Sequence, residues 1–394
     1  MTSPPKPTPV LLIQDGLYGA IAAVRALRAA GYAPWLAVDK PGGYARRSWA
    51  KAGIVPVPDP RFDLGGFVCG LANAGIPVAT VLPGGEPYLL ALAGHEDDFP
   101  GIALGVPSRE ILERATDKEL LAKLAGTAGL RTPPTAKVAL GASETVGEFG
   151  FPAIVKPRRS WIRSADGTLS AYSAHYVSDP GQADAALQSL PDGEGLVQPY
   201  IPGQLVSIAG VSWKGELQCA MHQASIRIWP LRAGISAYAE TIPANAKLEE
   251  GVSRLLRAIG WSGLFQAQFI RSSGGEHYLI DLNPRVYGSL ALAVAAGLNL
   301  PGIWADLLLG RHPDIQGYRV GTRFRHEEND ARALARMLMD GDARLALQGL
   351  VPRRNTTHAI FSLRDPMPLL TSVTRLARRL RRKRVSPPRQ SWHP

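Results

Sequence analysis

Two apolar runs, GLFQAQFI at residues 263–270 and YLIDLNPR at residues 278–285, flank a short turn rich in glycine and serine. This arrangement predicts a β-hairpin. Side chains two residues apart on a strand share a face, so Asp281 and Asn283 point the same way, and the turn places Gln268 diagonally opposite them. The hairpin is therefore expected to gather three oxygen donors on one face.

The three donors have the chemistry of a magnesium site. Mg²⁺ prefers oxygen ligands and takes the remainder from water and from substrate phosphates. Arg285 follows at once and is placed to hold a phosphoryl group bidentately. A purely structural interpretation stays open, in which Asn283 and Pro284 initiate a turn and Asp281 caps the next helix.

The hairpin resembles the metal-binding hairpin of the ATP-grasp ligases, which ends in a Glu-x-Asn-Pro-Arg pattern, and in particular the ATP-binding domains of carbamoyl phosphate synthetase and biotin carboxylase. Two lysine motifs are also similar: Thr116-Asp117-Lys118 opens a helical pattern, and PAIVKP at residues 152–157 resembles a strand whose lysine contacts nucleotide phosphates. The resemblance covers residues 106–310 and implies ATP and Mg²⁺ as cofactors, with Mn²⁺ as an alternative. It assigns Lys118 and Lys156 to phosphate binding, Arg285 and Lys156 to catalysis, and Gln268, Asp281 and Asn283 to the metal.

The run LVQPYIPG at residues 196–203 resembles the family's adenine-binding hinge. The resemblance implies that the backbone from residue 198 to 201 binds adenine, through Gln198, Pro199, Tyr200 and Ile201. Gln204 stands where the family usually has an acidic residue for the ribose. The loop over the triphosphate is usually glycine-rich, whereas residues 158–164 read RRSWIRS, so we expect this loop to grip by charge.

The segment from Val10 to residue 105 alternates short apolar runs with helical patterns, which predicts a parallel sheet covered on both faces. Its first turn, QDGLYG at residues 14–19, and Asp39 after the second strand partly match a dinucleotide-binding fingerprint, so an NAD-dependent oxidoreductase is one alternative. Gln14, however, occupies the position of the first glycine.

The predicted fold class is α/β, with a doubly wound N-terminal domain, an ATP-grasp fold of two α+β subdomains and a mostly helical C-terminal extension. The predicted units are a disordered leader at 1–9, the doubly wound domain at 10–105, the ATP-grasp subdomains at 106–200 and 201–325, the extension at 326–385 and a tail at 386–394. A late strand is predicted at 359–363.

Composition limits the class of protein. The 394 residues are 45% hydrophobic and 20% charged, as in folded domains. Two distant cysteines support neither a disulfide framework nor a zinc site, which favours a cytoplasmic location. Much of the +11 net charge lies in RLARRLRRKR at 375–384, which predicts a terminal helix with solvated arginines and leaves a polyanion or membrane-surface contact as the alternative. We expect no nucleic-acid partner, and no membrane span in the apolar stretch 289–309, where polar residues and proline intervene.

By resemblance, the function is that of a carboxylate-amine ligase with small-molecule substrates: ATP phosphorylates a carboxylate and an amine displaces the phosphate, through positioning and electrostatics. Arg227 is the candidate for the carboxylate, with an ordinary strand arginine as the alternative, and Glu86 is the candidate for the amine. His222 is predicted to be a satisfied, partly buried histidine. A nucleotide-binding regulatory protein without ligase chemistry is a further alternative, and a homodimer is expected because similar ligases commonly form dimers.

Overall fold

A computed structural model describes residues 6–14, 16–39, 42–141 and 143–372, without the side chains of residues 143–145. Its N-terminal unit contains β1 (Pro9–Ile13), α1 (Tyr18–Ala29), β2 (Ala33–Val38), β3 (Gly53–Pro56), α2 (Leu64–Ala72), β4 (Thr80–Pro83), α3 (Glu86–Leu92) and β5 (Ala103–Leu104). The five strands are parallel, in the order β3-β2-β1-β4-β5. Helix α1 packs in one hydrophobic cluster and α2 and α3 in another, so helices cover both faces of this sheet.

The chain enters the fold earlier than predicted. Strand β1 begins at Pro9, the amide of Ala33 donates to the carbonyl of Thr8 at 2.9 Å, and Arg311 donates to the Thr8 hydroxyl at 3.0 Å. The predicted leader at 1–9 is therefore wrong for Thr8 and Pro9, because both are held by residues far along the chain. Residues 1–5 lie outside the described part of the chain.

The second unit is built on a small antiparallel sheet. It contains α4 (Arg109–Thr116), α5 (Lys118–Thr127), β6 (Ala136–Ala139), α6 (Ser143–Glu148), β7 (Ala153–Lys156), β8 (Trp161–Arg163), β9 (Leu169–Ala171), β10 (His175–Val177), α7 (Pro180–Gln188) and β11 (Glu194–Pro199). Its main sheet has the order β10-β7-β11-β6, and β8 and β9 form a separate hairpin. Asp117 ends α4 and begins α5, because its carboxylate accepts the amides of Glu119 and Leu120 and thereby caps the new helix.

The third unit carries a long antiparallel sheet. Its elements are β12 (Gly203–Trp213), β13 (Glu216–Trp229), β14 (Ile235–Thr241), α8 (Ala246–Ile259), β15 (Gly263–Ser272), β16 (His277–Asn283), α9 (Leu290–Ala296), α10 (Leu300–Leu308), β17 (Arg323–Arg325), α11 (Glu327–Met339), α12 (Ala343–Leu350) and β18 (Thr356–His358). The order is β16-β15-β12-β13-β14-β17-β18, with β17 and β18 parallel. Phe265, Ala267 and Phe269 alternate along β15 into the cluster that contains α8, which turns Gln266 and Gln268 to the opposite face.

The C-terminal segment is integrated into the body of the protein. Because β18 pairs with β17, the predicted boundary at 325 cuts through a sheet, and the predicted late strand lies at Thr356–His358 and not at 359–363. Farther on, the carboxylate of Asp365 accepts hydrogen bonds from Arg25 at 2.8 Å and from Ser48 at 2.6 Å, which ties this segment to the N-terminal unit. The basic run at 375–384 lies outside the described residues.

The apolar stretch at 289–309 forms α9 and α10, which pack in the core cluster that also contains α1. Among the described residues, no single helix is long and apolar enough to cross a membrane. These two helices meet the length and composition criteria only when taken together, and they are bent by 91° at the break between them.

Candidate functional site

A cavity of about 570 Å³ lies between the sheet of the second unit and the long sheet of the third. One wall comes from β7 and the segment after β11, and the other from β15 and β16. Its lining includes most of the residues predicted from the sequence, namely Lys118, Lys156, Gln198, Pro199, Tyr200, Ile201, Gln268, Asp281, Asn283 and Arg285. The structure therefore brings the two lysine motifs, the hinge and the hairpin together around one space.

The hairpin presents its oxygen donors in pairs. Gln268 lies directly across from Asp281, and Gln266 lies directly across from Asn283. The predicted diagonal placement of Gln268 is wrong, because a β-bulge after Gln268 shifts the register of the two strands. Gln266, which is buried and lines the cavity, was missed by the sequence analysis, although its position two residues before Gln268 puts it on the same face.

Three cationic side chains surround this face. The Lys118 ammonium lies 4.0 Å from Asp281 Oδ1 and 2.8 Å from the Ser160 hydroxyl. Arg285 donates to the side-chain oxygen of Asn283 at 2.9 Å. Lys156 donates to the carbonyl of residue 280 at 3.1 Å. Three cations beside one carboxylate leave excess positive charge, which suits an anionic ligand such as a polyphosphate.

Lys156 ends β7 and is buried, with 5% of its surface exposed. Burial lowers the pKa of its ammonium to about 8; Asp281 opposes this shift and Lys118 adds to it. A buried cation held between a strand end and the hairpin is costly in the absence of a counterion, so its place is better explained by a ligand than by packing.

Some donors of the predicted adenine-binding hinge, residues 198–201, already make hydrogen bonds within the protein. The Gln198 side chain donates to the Thr135 hydroxyl at 2.8 Å, and the amide of Tyr200 donates to the carbonyl of Pro152 at 3.1 Å. Pro199 has no amide hydrogen. Two of the four predicted backbone positions, Pro199 and Tyr200, therefore offer no free amide.

The loop arginines do not point their charge at the cavity. Arg158 pairs with Asp117 at 2.7 Å and Arg159 approaches the same carboxylate at 3.5 Å. The expectation that Arg158 and Arg159 grip a triphosphate is not supported, because both are directed toward the acidic cap of α5 and neither lines the cavity. Trp161, on β8, does line the cavity.

Two predicted residues lie away from the cavity lining. Gln204 donates to the carbonyl of Ser225 at 3.1 Å and accepts from Arg271, so a ribose-binding role is not supported. Arg227 forms a buried double hydrogen bond with Asp330, at 2.6 and 3.0 Å, so the structural interpretation of this arginine replaces the predicted carboxylate-binding one.

His222 and Glu86 occupy different environments. His222 is buried and lies 2.8 Å from a Glu249 oxygen, as expected of a satisfied histidine. Glu86, the first residue of α3, lines a second and smaller cavity that also includes Arg285. Burial raises the pKa of the Glu86 carboxyl, against the opposing charges of Arg285 and Lys118.

Comparison with known proteins finds one matching family model and several similar proteins. Residues 193–329 match the family model described as "ATP-grasp in the biosynthetic pathway with Ter operon". The chain is 27% identical over 257 residues to the carbamoyl phosphate synthase large chain of Ralstonia nicotianae, covering 61% of this chain and 23% of that protein. It is 29% identical over 182 residues to the D-alanine–D-alanine ligase of Oleidesulfovibrio alaskensis, covering 41% of this chain and 54% of that one.

The fold is also similar to a solved N5-carboxyaminoimidazole ribonucleotide synthetase in complex with ADP. The TM-score is 0.62 at 15% identity, and the match covers 82% of each chain. Of the two relatives found by sequence, this chain spans less than a quarter of the carbamoyl phosphate synthase large chain and about half of the D-alanine–D-alanine ligase.

Proposed function

We propose that this chain, which carries an ATP-grasp domain, is an ATP- and Mg²⁺-dependent ligase that activates a carboxylate as an acyl phosphate and couples it to an amine. The observation that carries the proposal is the meeting of Asp281 and Asn283 with Lys118, Lys156 and Arg285 around the main cavity. The hinge residues line the same cavity, and their strand pairs with β7, which ends at Lys156, so a nucleotide with its adenine at the hinge would direct its phosphates toward this cluster.

The donor set fits magnesium brought in with a nucleotide. Asp281 supplies a carboxylate, and Asn283, Gln268 and Gln266 supply amide oxygens on the same face. Mg²⁺ is commonly held by one or two carboxylates while phosphates and water complete its octahedron. When bound, the ion would neutralise phosphate charge.

The protein's own part in the reaction is charge stabilisation and positioning. A carboxylate oxygen of the substrate forms a bond to the γ-phosphorus of ATP as the bond to the leaving ADP oxygen breaks. Lys118, Lys156 and Arg285 stabilise the charge that spreads over the phosphoryl oxygens. The amine nitrogen then forms a bond to the acyl carbon, and inorganic phosphate leaves with the electron pair of the broken C–O bond.

The oxidoreductase alternative is weakened by the first turn of the N-terminal unit. In a dinucleotide-binding fold, the first glycine and the start of the helix receive a pyrophosphate. Here Gln14 stands at the position of that glycine, and its side chain lines the adjoining cavity. Asp15, in the same turn, lies outside the described residues.

A regulatory nucleotide-binding protein remains the second candidate, and one experiment separates it from the ligase. We would measure ADP release with Mg²⁺ and ATP across pooled carboxylates and amines, comparing the wild type with Asp281→Asn and with the exposed control Asp314→Asn. The ligase proposal predicts substrate-dependent ADP release that falls about 100-fold or more in Asp281→Asn and is unchanged in the control.

The other outcomes are equally definite. ATP binding without ADP release from any pool would favour the regulatory protein. Binding of a nicotinamide dinucleotide in place of ATP would favour the oxidoreductase. Four expectations stay predictions: that Mn²⁺ can replace Mg²⁺, that the protein is cytoplasmic, that it forms a homodimer and that it has no nucleic-acid partner.

A further inference from the structure

A second cavity, of about 300 Å³, opens at the carboxyl ends of the parallel strands of the N-terminal unit. This edge is where ligands bind in open α/β sheets. Leu17, Trp161 and Arg285 line both this cavity and the larger one, so the two spaces share a wall. The amide of Leu169, on the β8–β9 hairpin that carries Trp161, donates to the carbonyl of Arg61 at 2.9 Å and holds that hairpin against the cavity.

The polar groups of this second cavity are mainly acceptors. Its lining includes Asp39, Asp59 and Glu86, against Arg61 and Arg285. The Arg61 Nε donates to both carboxylate oxygens of Asp59, at 2.8 and 2.9 Å, so these two charges largely cancel. What remains is the Asp39 carboxylate, which accepts a hydrogen bond from the Tyr88 hydroxyl at 2.9 Å, a buried carboxyl at Glu86 and the guanidinium of Arg285.

Gln14 adds an independent sign of a ligand. Only 8% of its surface is exposed, and its Oε1 atom is buried with no hydrogen-bond partner among the described residues. An unpaired buried amide oxygen is costly. Its backbone φ of 152° lies in a region that favours glycine, and such strain persists mainly at functional sites. A Cβ on Gly84 would come within 3.0 Å of this side chain, so the two glycines before α3 make room for it.

Building on the proposed ligase function, we propose that the second cavity holds the amine substrate in its ammonium form. The oxygen atoms of Gln14, Asp39 and Glu86 would accept the ammonium hydrogens, and Glu86 would take the proton that must leave before the nitrogen can react. The choice of an amine follows from the acceptor-rich lining, which disfavours a phosphate or a second carboxylate.

Glu86 is suited to this transfer by its position. It shares the second cavity with Arg285, which also lines the larger cavity beside Asn283. Burial of the Glu86 carboxyl raises its pKa and makes it a stronger base, while Arg285 and Lys118 oppose the rise and Asp281 supports it.

The proposed step balances in atoms and charge. The ammonium transfers one proton to the Glu86 carboxylate, and the freed lone pair forms the C–N bond to the acyl phosphate. The C–O bond to phosphorus-bound oxygen breaks with its electron pair on the departing phosphate, which takes the second nitrogen proton. Glu86 then returns its proton to solvent.

The test uses two nucleophiles with the full-length protein. Hydroxylamine is uncharged at neutral pH and traps an acyl phosphate as a hydroxamate without prior deprotonation. An equimolar pool of the twenty standard amino acids with ammonium chloride supplies nitrogen nucleophiles that arrive as ammonium ions. Wild type, Glu86→Gln, Asp39→Asn and the exposed control Asp97→Asn would be compared for hydroxamate formation and for amide formation from the carboxylate pools.

We expect Glu86→Gln to lose about 100-fold or more of its amide-forming rate while it still forms hydroxamate within a few-fold of the wild type. Asp39→Asn should raise the KM for the amine about 10-fold or more with a smaller change in kcat. The Asp97→Asn control should behave as the wild type.

The outcomes separate this inference from the function on which it rests. If the wild type forms no hydroxamate with any carboxylate, the proposed ligase function fails. If the wild type forms hydroxamate but no amide, or if Glu86→Gln changes both reactions equally or neither, the amine site is refuted. Should Glu86→Gln not fold, the KM of Asp39→Asn decides, and an unchanged KM overturns the assignment.

Discussion

Lys156→Met should make the nucleotide-free protein more stable while weakening ATP binding. Lys156 is 5% exposed, and burial lowers the pKa of its ammonium from 10.5 to about 8. That difference corresponds to about 3 kcal/mol at pH 7, because the folded state holds the proton less tightly than the unfolded chain. Methionine keeps the length of the side chain and removes the charge, but it also removes the hydrogen bond to the carbonyl of residue 280, which contributes about 1 kcal/mol. The net expected gain is about 2 kcal/mol.

The pH dependence of this gain has a definite sign. Between pH 8 and 10.5, the unfolded chain binds the Lys156 proton more tightly than the folded protein does, so wild-type stability rises relative to the variant as the pH increases. The advantage of Lys156→Met is therefore full below pH 8 and is lost above 10.5. In contrast, loss of one charge-assisted phosphate contact, about 1.5–3 kcal/mol, should weaken ATP affinity by about 10- to 150-fold.

Urea unfolding followed by tryptophan fluorescence, at pH 7 and at pH 10 with and without Mg²⁺ and ATP, measures both effects. Lys137→Met is the matched control, because Lys137 lies on β6 of the same sheet with a 68% exposed side chain paired to Glu119. Its loss should change the unfolding free energy by less than about 1 kcal/mol. A Lys156→Met protein that is less stable than the wild type without nucleotide, or that binds ATP with unchanged affinity, would refute the reasoning.

Three further predictions test other parts of the structure. Burial lowers the pKa of His326 from 6.5 to about 4, so between these pH values the unfolded chain binds more protons and the folded protein loses stability as the pH drops. Between pH 7.5 and pH 4, the free energy of unfolding of His326→Asn in urea should therefore fall by about 3 kcal/mol less than that of the wild type. Equal losses in the two proteins would contradict this. Gln14→Gly should raise the free energy of unfolding by about 1 kcal/mol, because relief of the strained positive φ outweighs the entropy cost of glycine, and it should also raise the KM for the amine. A loss of stability would show that the backbone of Gln14 is not strained. Arg227→Met should lower the free energy of unfolding by about 1–3 kcal/mol, since buried Asp330 then keeps Arg325 as its one ion-pair partner among the described residues, and ADP release per folded molecule should be unchanged. A raised KM for the carboxylate would restore the substrate role first predicted for Arg227.

Local patterns in the chain were sufficient for the elements of the nucleotide site. Alternating apolar residues predicted the hairpin at 263–285, and the resemblance of residues 152–157 to a family motif predicted that Lys156 ends a strand at the site. These features depend on the two-residue repeat of a strand and on motifs of a few residues, so they can be read without knowing which strands are neighbours.

Contacts between distant segments decided what the patterns left open. Arg227 stands on an ordinary strand in the sequence, but folding sets it against Asp330, about a hundred residues later, and so removes it from the site. Arg158 and Arg159, in the loop after Lys156, are likewise held against Asp117, which caps a helix earlier in the chain. A charge in the sequence has no assigned partner until the fold supplies one, so such roles could not be predicted from residue type and spacing.

The second cavity shows the same division. From the sequence, Glu86 was the candidate for the amine, and the missing first glycine at residue 14 indicated only an incomplete dinucleotide-binding motif. The structure shows that Gln14 has a positive φ of 152° and a buried amide oxygen, and that its side chain lines one cavity with Glu86 and Arg285. Residue types and their local periodicity specified the strands and where they end. Gln14, Glu86 and Arg285 line one cavity only because three separate segments pack together, and the environment of a side chain is set by the folded chain.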